Sequence, residues 1–439
     1  EILRGPAALV YGGQAIGGVV NVIDGLIMED LPKRPFAGEA YAASNSVNEG
    51  TEGGARVQAV SGPVVVTLTA STRDFGNYDI PVPAQSDRLR AETGDPVGPD
   101  GDLKQTRYDV RGGLNVDTGF LTKITASGSV ADYEHTEFEE PGEPGTIFKT
   151  EGFEGRIEAG HVLGPLEGEV GIQYADSSLD AIGDEAFITP TDTTSFGVFL
   201  FLGAQASWAE RAPNQSELFA DGPHLATEQY EVGDRTLGKE RGLNLEGTAR
   251  WENDTMSFGV NLFLTDFSEF IYLAATGAEI DDLPVFAFRQ QDAQFTGGEA
   301  FAAYQLLGGP LQADWKFDAG LDLVNAEFDD GSDVPYVPPV TLNAGAEADW
   351  GALALGAKLT WAGDQDSPGV GLLPTDGYVT ADLHADLDIA RYGAGREGTK
   401  LFIEARNIGD AEVRAATSVL KDNVPMPGRN IRAGIRFLF

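Results

Sequence analysis

The residues best able to do chemistry are few. The 439-residue chain has no cysteine and four histidines, namely His135, His161, His224 and His384. Without thiolates, thiol catalysis and disulfide bridges are excluded, and ligation of a transition metal falls to imidazole and carboxylate. His224 has Asp221 and Glu228 near it in sequence, and His135 sits among Asp132, Glu134 and Glu137. A site built from two loops, using His224, Asp221, His135 and Glu137, is the candidate for a metal or substrate. The blander reading makes them loop-tip histidines. His384 lies on the polar face of a strand and is expected to face a lumen. The oxygen-rich stretches Gly94–Gly101 and Asp329–Asp333 lack the spacing of an EF-hand loop and read as acidic turns. A nucleophile needs a base within reach; Ser129 is near His135 only in sequence, and Ser418 has no nearby histidine. No catalytic residue and no tightly bound cofactor is expected. The aromatics Phe199, Phe201, Trp251, Phe263, Tyr272, Trp361 and Phe437 are expected to form an interfacial girdle rather than a stacking site.

Such residues must be carried by strands. Beyond about residue 36 the chain repeats segments of alternating polarity separated by Gly, Pro, Asp and Asn. Tyr108, Val110, Leu114 and Val116 oppose Arg107, Asp109, Arg111 and Asn115. Val170, Ile172 and Tyr174 oppose Glu169 and Gln173. Val379, Leu383, Leu387 and Ile389 oppose Thr380, Asp382, His384, Asp386 and Asp388. Ile431, Ala433, Ile435, Phe437 and Phe439 oppose Asn430, Arg432 and Arg436. Successive strand side chains point to opposite faces, so each segment has one apolar and one polar wall. About seventeen or eighteen such segments are visible, many about 10 residues long, which suits a tilted crossing of a bilayer. Short connections (Ser61–Pro63, Trp350–Ala352) alternate with long polar ones (Asp74–Gln105, Glu134–Lys149, Glu210–Arg241), as in outer-membrane barrels. The fold class expected is all-β, an antiparallel transmembrane β-barrel.

Bulk properties agree. The longest apolar-leaning runs, Val64–Ala70 and Phe196–Ala206, are short or diluted by Thr, Gly and Gln, so no helix of about 18 apolar residues crosses a membrane. The mean hydropathy of −0.17 is what alternation with lumen-facing polar residues produces. With 69 acidic against 30 basic residues and a net charge of −39, a nucleic-acid partner is excluded.

Four stretches then carry a resemblance. EILRGPAALVYGGQAIGGVVNVID (Glu1–Asp24) matches through Arg4, Gly5, Pro6, Tyr11, Gly12, Gly17, Gly18 and Asn21; RAPNQSELFADGPHLATEQYEVGDRTLGK spans Arg211–Lys239; FIEARNIGD spans Phe402–Asp410; and PMPGRNIRAGIRFLF closes the chain at Phe439. Together they resemble the TonB-dependent outer-membrane receptors. The resemblance implies that residues 1–25 are the end of an N-terminal plug domain and residues 26–439 the barrel. It further implies a bacterial outer-membrane protein active in scarce-nutrient uptake, an energy-transducing partner of the TonB type, contact with outer-membrane lipid, and Phe439 as the barrel-assembly signal. GPHLAT, FSEFIYL (Phe267–Leu273), LPVFAFRQQDAQFTGGE (Leu283–Glu299) and the PGRN end look most like the zinc-uptake, ZnuD-type branch. A metal ion or small metal chelate, zinc favoured, is therefore the expected cargo.

The chain departs from that family twice. By the resemblance, only the tail of a plug is expected in residues 1–25, without the energy-coupling box. In addition, SFGVFLF appears fused to the strand before RAP across Leu202–Ala204, as though two hairpins were deleted. Plugged transporters have 22 strands, and the count here falls about four short. An N-terminally truncated chain with an internal deletion is the expectation. The alternative function is a passive channel or a non-functional remnant of the barrel.

Overall fold

The computed structural model describes residues 2–4, 18–20, 35–62, 64–93, 100–115, 121–140, 143–163, 166–183, 190–201, 207–224 and 227–439. In the N-terminal stretch, β1 (Ile2–Arg4) and β2 (Gly18–Val20) pair antiparallel, with Arg4 opposite Gly18. Of the other motif residues singled out there, Gly5, Pro6, Tyr11, Gly12, Gly17 and Asn21 lie outside the described residues.

The remaining strands build one sheet rolled into a barrel. The first half comprises β3 (Phe36–Asn45), β4 (Thr51–Ser61), β5 (Val64–Phe75), β6 (Asp100–Asn115), β7 (Leu121–Glu140), β8 (Glu143–Leu163), β9 (Leu166–Ile182) and β10 (Thr191–Phe201). The second half opens with β11 (Ser207–Arg211) and the small hairpin β12 (Asp221–His224) and β13 (Gln229–Val232). It continues through β14 (Glu240–Glu252), β15 (Met256–Ile280), β16 (Leu283–Leu306), β17 (Asp314–Phe328), β18 (Thr341–Asp349), β19 (Leu353–Ala362), β20 (Tyr378–Asp388), β21 (Lys400–Arg406) and β22 (Asn430–Leu438). Neighbours in sequence pair antiparallel from β3 to β10 and from β14 to β22, and β11 pairs with β14. The last strand closes on the first, with Arg432 opposite Asn45 and Leu438 opposite Glu39. The residues 202–206 that join β10 to β11, where the deletion was expected, lie outside the described residues. Leaving aside the hairpin β12–β13, eighteen strands among the described residues form the wall.

Side-chain alternation sorts the wall as the sequence pattern requires. Val170, Ile172 and Tyr174 are 41%, 45% and 42% exposed. They point outward, away from any protein core, and so do Val64, Val66, Leu68, Leu262, Leu355, Leu359, Leu401 and Ile403. The opposite face is polar. Arg432 bridges Glu52 at 2.7 Å and Glu404 at 3.1 Å, and Arg56 pairs with Glu39 at 3.3 Å. His384 faces inward as expected, its Nε2 3.0 Å from Glu347 of a strand two removed. It reaches that far because Gly356 lies between them, where a Cβ would stand 2.0 Å from the imidazole. An apolar outside and a charged, hydrated inside invert a soluble protein, and that inversion is what a lipid surround demands.

Two connections differ from expectation. The segment Glu134–Lys149, read as a long loop, is largely a continuation of β7 and β8, which end at Glu140 and begin at Glu143. The cross-strand pairs His135–Phe148 and Thr136–Ile147 suit strands, and above the bilayer both faces of a hairpin can be wet. The segment Glu210–Arg241 is likewise structured: it holds a short helix, α2 (Gln215–Phe219), and the hairpin β12–β13. An earlier helix, α1 (Asp87–Thr93), sits between β5 and β6.

Candidate functional site

Long connections gather at one end of the barrel, and there they form a canopy. Its rim is tied by backbone and buried charge. Arg414 donates to the carbonyls of Ala84 at 2.8 Å and Lys421 at 2.9 Å. Ser86 donates to Asp422 at 2.8 Å, while buried Lys421 holds Asp422 and the carbonyl of Leu373. Arg88 reaches the carbonyl of Pro374 at 3.1 Å. Segments 76–93, 363–377 and 407–429 are thus joined by donors that find partners in each other. Two apolar clusters stiffen the far side. Phe267, Phe328 and Val334 pack together where the turn after β17 folds across β15, and Phe148, Ala181 and Ala220 pack where β8 and β9 meet the end of α2.

The centre of the canopy is the segment from α2 to β13. Asn214 caps α2, accepting from the backbone of Glu217 at 2.9 Å while its own N–H donates to the Glu217 carboxylate at 2.7 Å. This is the reciprocal capping box that N-x-x-E encodes. The helix lies flat on the following chain because residue 233 is glycine; a Cβ there would stand 2.6 Å from the backbone nitrogen of Phe219. β13 then turns Gln229 and Glu231 to its buried face and runs parallel to the upper part of β16, Tyr230 opposite Val285.

The candidate ligand residues are placed as follows. His224 does not engage Asp221; its Nδ1 is 2.7 Å from Oε1 of buried Glu231. Asp221 is exposed and accepts from the Tyr230 hydroxyl at 3.1 Å. His135 stands on β7, stacked on Phe148 with ring centres 4.7 Å apart; Glu137 is two residues further along the same strand, opposite Thr146, its side chain outside the described residues. Among the described residues no group of three or more His, Asp or Glu could hold a metal ion.

The residues that do converge were not flagged together by the sequence. Glu228, in a left-handed conformation with φ 52°, accepts from Gln85 Nε2 at 3.2 Å and Asn423 Nδ2 at 3.1 Å, and burial pushes its carboxyl above the ordinary value. Gln85 Oε1, Gln229 Oε1 and the Tyr336 hydroxyl are buried without a hydrogen-bond partner. Desolvation, with the Asp422 and Glu231 carboxylates facing it, pushes Tyr336 up to about 12. Buried polar atoms are nearly always satisfied, and these three, carried by three different segments of the canopy, are among the exceptions. No periodic or spaced motif links Gln85, Gln229 and Tyr336, which is why reading the chain alone did not find them.

This geometry, a tall barrel with outward apolar strands, a charged interior and a canopy at one mouth, can be set beside known proteins. Residues 200–408 match the family model described as TonB dependent receptor-like, beta-barrel. That match covers somewhat less than half of the chain, and along its whole length the likeness to solved structures is one of fold. The fold is that of a TonB-dependent receptor barrel. It is similar to the copper transporter OprC (TM-score 0.67, 15% identity, covering all of this chain and 85% of that one). It is also similar to a mutant of the ferric enterobactin receptor PfeA of Pseudomonas aeruginosa in complex with enterobactin (0.65, 14%, 100% and 85%). The siderophore receptor PirA of Acinetobacter baumannii gives 0.61, 12%, 100% and 84%. TonB-dependent receptors are transporters rather than enzymes and sit in the bacterial outer membrane. The receptor barrel therefore carries its exposed valines, leucines and isoleucines against lipid.

Proposed function

We propose that this TonB-dependent receptor barrel serves the active uptake of a metal ion or small metal chelate, with zinc as the favoured cargo. The observation that carries the reading is the canopy, where His224 contacts the buried Glu231 carboxylate and the partly buried Glu228 accepts from Gln85 and Asn423. The GPHLAT and FSEFIYL stretches, which resemble the zinc-uptake branch, point to zinc among metals. The similar folds include one described as a copper transporter and one described as a ferric enterobactin receptor in complex with enterobactin. In this reading residues 1–25 belong to a plug that gates the lumen, and a TonB-type partner supplies the work.

The test is uptake of radiolabelled zinc by cells in which this protein is the only outer-membrane receptor for the metal. Saturable entry that stops when the proton-motive force is collapsed supports the proposal. Entry that neither saturates nor responds to the uncoupler, together with steady conductance in planar bilayers, identifies a passive channel instead. A histidine contribution is checked in the same assay: His224→Ala raises the half-saturating zinc concentration about tenfold, on the scale of one lost hydrogen bond to a charged group.

A further inference from the structure

We infer that the turn between β16 and β17, residues 307–313, is a lipid anchor: Leu307 and Leu311 insert into the periplasmic leaflet of the outer membrane. This surface lies at the end of the barrel away from the canopy, among the short turns, and its role is independent of the cargo.

Two tryptophans hold the turn on the outside of the wall. Trp315 shares the outward face of Phe317 and Leu323, and Trp350 continues the outward face of Leu342. Both indoles therefore stand on the lipid side. Trp315 donates its N–H to the Pro310 carbonyl at 2.9 Å, and Trp350, from the turn after β18, donates to the Leu311 carbonyl at 3.0 Å. Those bonds draw residues 310 and 311 sideways, toward the lipid-facing row and away from the lumen. The Trp315 ring also lies against Gly309, where a Cβ would stand 2.9 Å from it. Tryptophans at a membrane margin ordinarily keep their polar end toward the headgroups. Here both N–H groups are spent on the turn, and what the turn presents is apolar: Leu307 is 67% and Leu311 75% exposed. The Trp315 and Phe317 rings stack 5.7 Å apart, so the turn is continuous with the wall that the bilayer already covers.

The backbone and a nearby charge point the same way. Leu311 (φ 60°, ψ 15°) and Gln312 (φ 60°) are both left-handed, a conformation that glycine or asparagine takes easily and leucine does not. Such strain persists only where the surroundings over-determine it. In water an exposed leucine offers nothing against it; in hydrocarbon, burial of two leucine side chains outweighs two left-handed residues. In the turn between β20 and β21, Arg391 is in no ion pair among the described residues. Its guanidinium lies over Gly351, beside Trp350, where a Cβ would stand 2.8 Å from it. In a chain of net charge −39, a free arginine beside exposed leucines suits a phosphate layer bordering hydrocarbon.

The chain has no cysteine, so Leu311→Cys and Leu307→Cys each give one site for a bimane label. The full chain is refolded into phosphatidylcholine vesicles with iodide on both sides of the membrane. Asp282→Cys, at the far tip of the β15–β16 hairpin, is the aqueous reference. At Leu311 and Leu307 the emission is expected to lie to the blue of the reference and to be quenched by lipid spin-labelled near its headgroup. Most of the quenching by iodide is expected to be lost. Iodide quenching equal to the reference overturns the inference, because the turn then stands in water. Shielding from iodide without quenching by spin-labelled lipid puts a protein surface over the leucines and also overturns it. So does shielding that disappears when the protein is diluted with further lipid, the sign of a second copy. Should the label at Leu311 prevent refolding, the label at Leu307 decides between the same outcomes.

Discussion

Arg432 shows how much one residue of a barrel wall can hold. It lies between Glu52 and Glu404 and stacks over the Phe402 ring with its guanidinium carbon 4.8 Å from the centre. It also belongs to the strand that joins the end of the chain to its beginning. Removing one partner of an enclosed ion pair costs about 3–5 kcal/mol where burial is complete. With Arg432 facing a hydrated lumen, Arg432→Met is expected to cost about 1–2 kcal/mol, read as a lower urea midpoint for unfolding from detergent micelles. Glu228 gives a pH-dependent counterpart. Its carboxyl is raised by burial, against which the two amide bonds pull. A raised acid favours the folded state most when protonated, so its contribution is fully present at low pH and fades as pH climbs through the raised value. Glu228→Gln should therefore match the wild type in acid and melt higher than it at neutral pH, as followed by the heat-shifted gel band across a pH series. Legibility at this scale is mixed. His384 could be placed facing the lumen because strand alternation fixes a face. Neither the partner of His224 nor the strand position of His135 could be, because each depends on pairing between segments that the local pattern does not contain.

At the scale of elements, the short turns Ser61–Pro63 and Trp350–Ala352 were readable from their local residues, whereas α2 and its capping box lie within Glu210–Arg241, which read only as a long polar connection. The upper reaches of β7 and β8 were not readable either. There the apolar face disappears, and a strand in water looks like a loop. Gly233 supplies a test of how the canopy is assembled. Its neighbours are backbone atoms of α2 at 2.6–2.8 Å, which cannot swing aside. Gly233→Ala should therefore lift α2 from β13, destabilising the canopy by about 1–3 kcal/mol while the transmembrane strands still assemble. Protease cleavage near Arg235 on intact cells, faster than in the wild type, is the readout.

At the scale of the whole molecule, the two-residue rhythm gave the architecture because the bilayer imposes it on every strand alike. The seam at residues 202–206 could not be judged by rhythm, since closing a barrel depends on strand number and stagger together. The lipid-facing row can be challenged directly: Ile172→Arg puts a charge among outward apolar side chains and should cost about 2–4 kcal/mol near the bilayer midplane, seen as loss of the folded band in outer-membrane fractions. Phe439 closes the same ring at its other margin. Its backbone exchanges hydrogen bonds with Gly38 at 3.0 and 3.2 Å, and its ring covers that glycine, so deleting it should slow assembly without altering the strands already paired.

The hairpin of β15 and β16 is much taller than a membrane is thick. Its strands run 25 and 24 residues, roughly 80 Å of chain at 3.3 Å per residue, where a tilted crossing needs about 10. More than half its length therefore stands clear of the lipid, with Asp281 and Asp282 at the tip. On a living cell that tip is the first part of the molecule an antibody, a bacteriophage or a neighbouring bacterium would touch, and a peptide epitope inserted between the two aspartates should be stained without permeabilising the envelope.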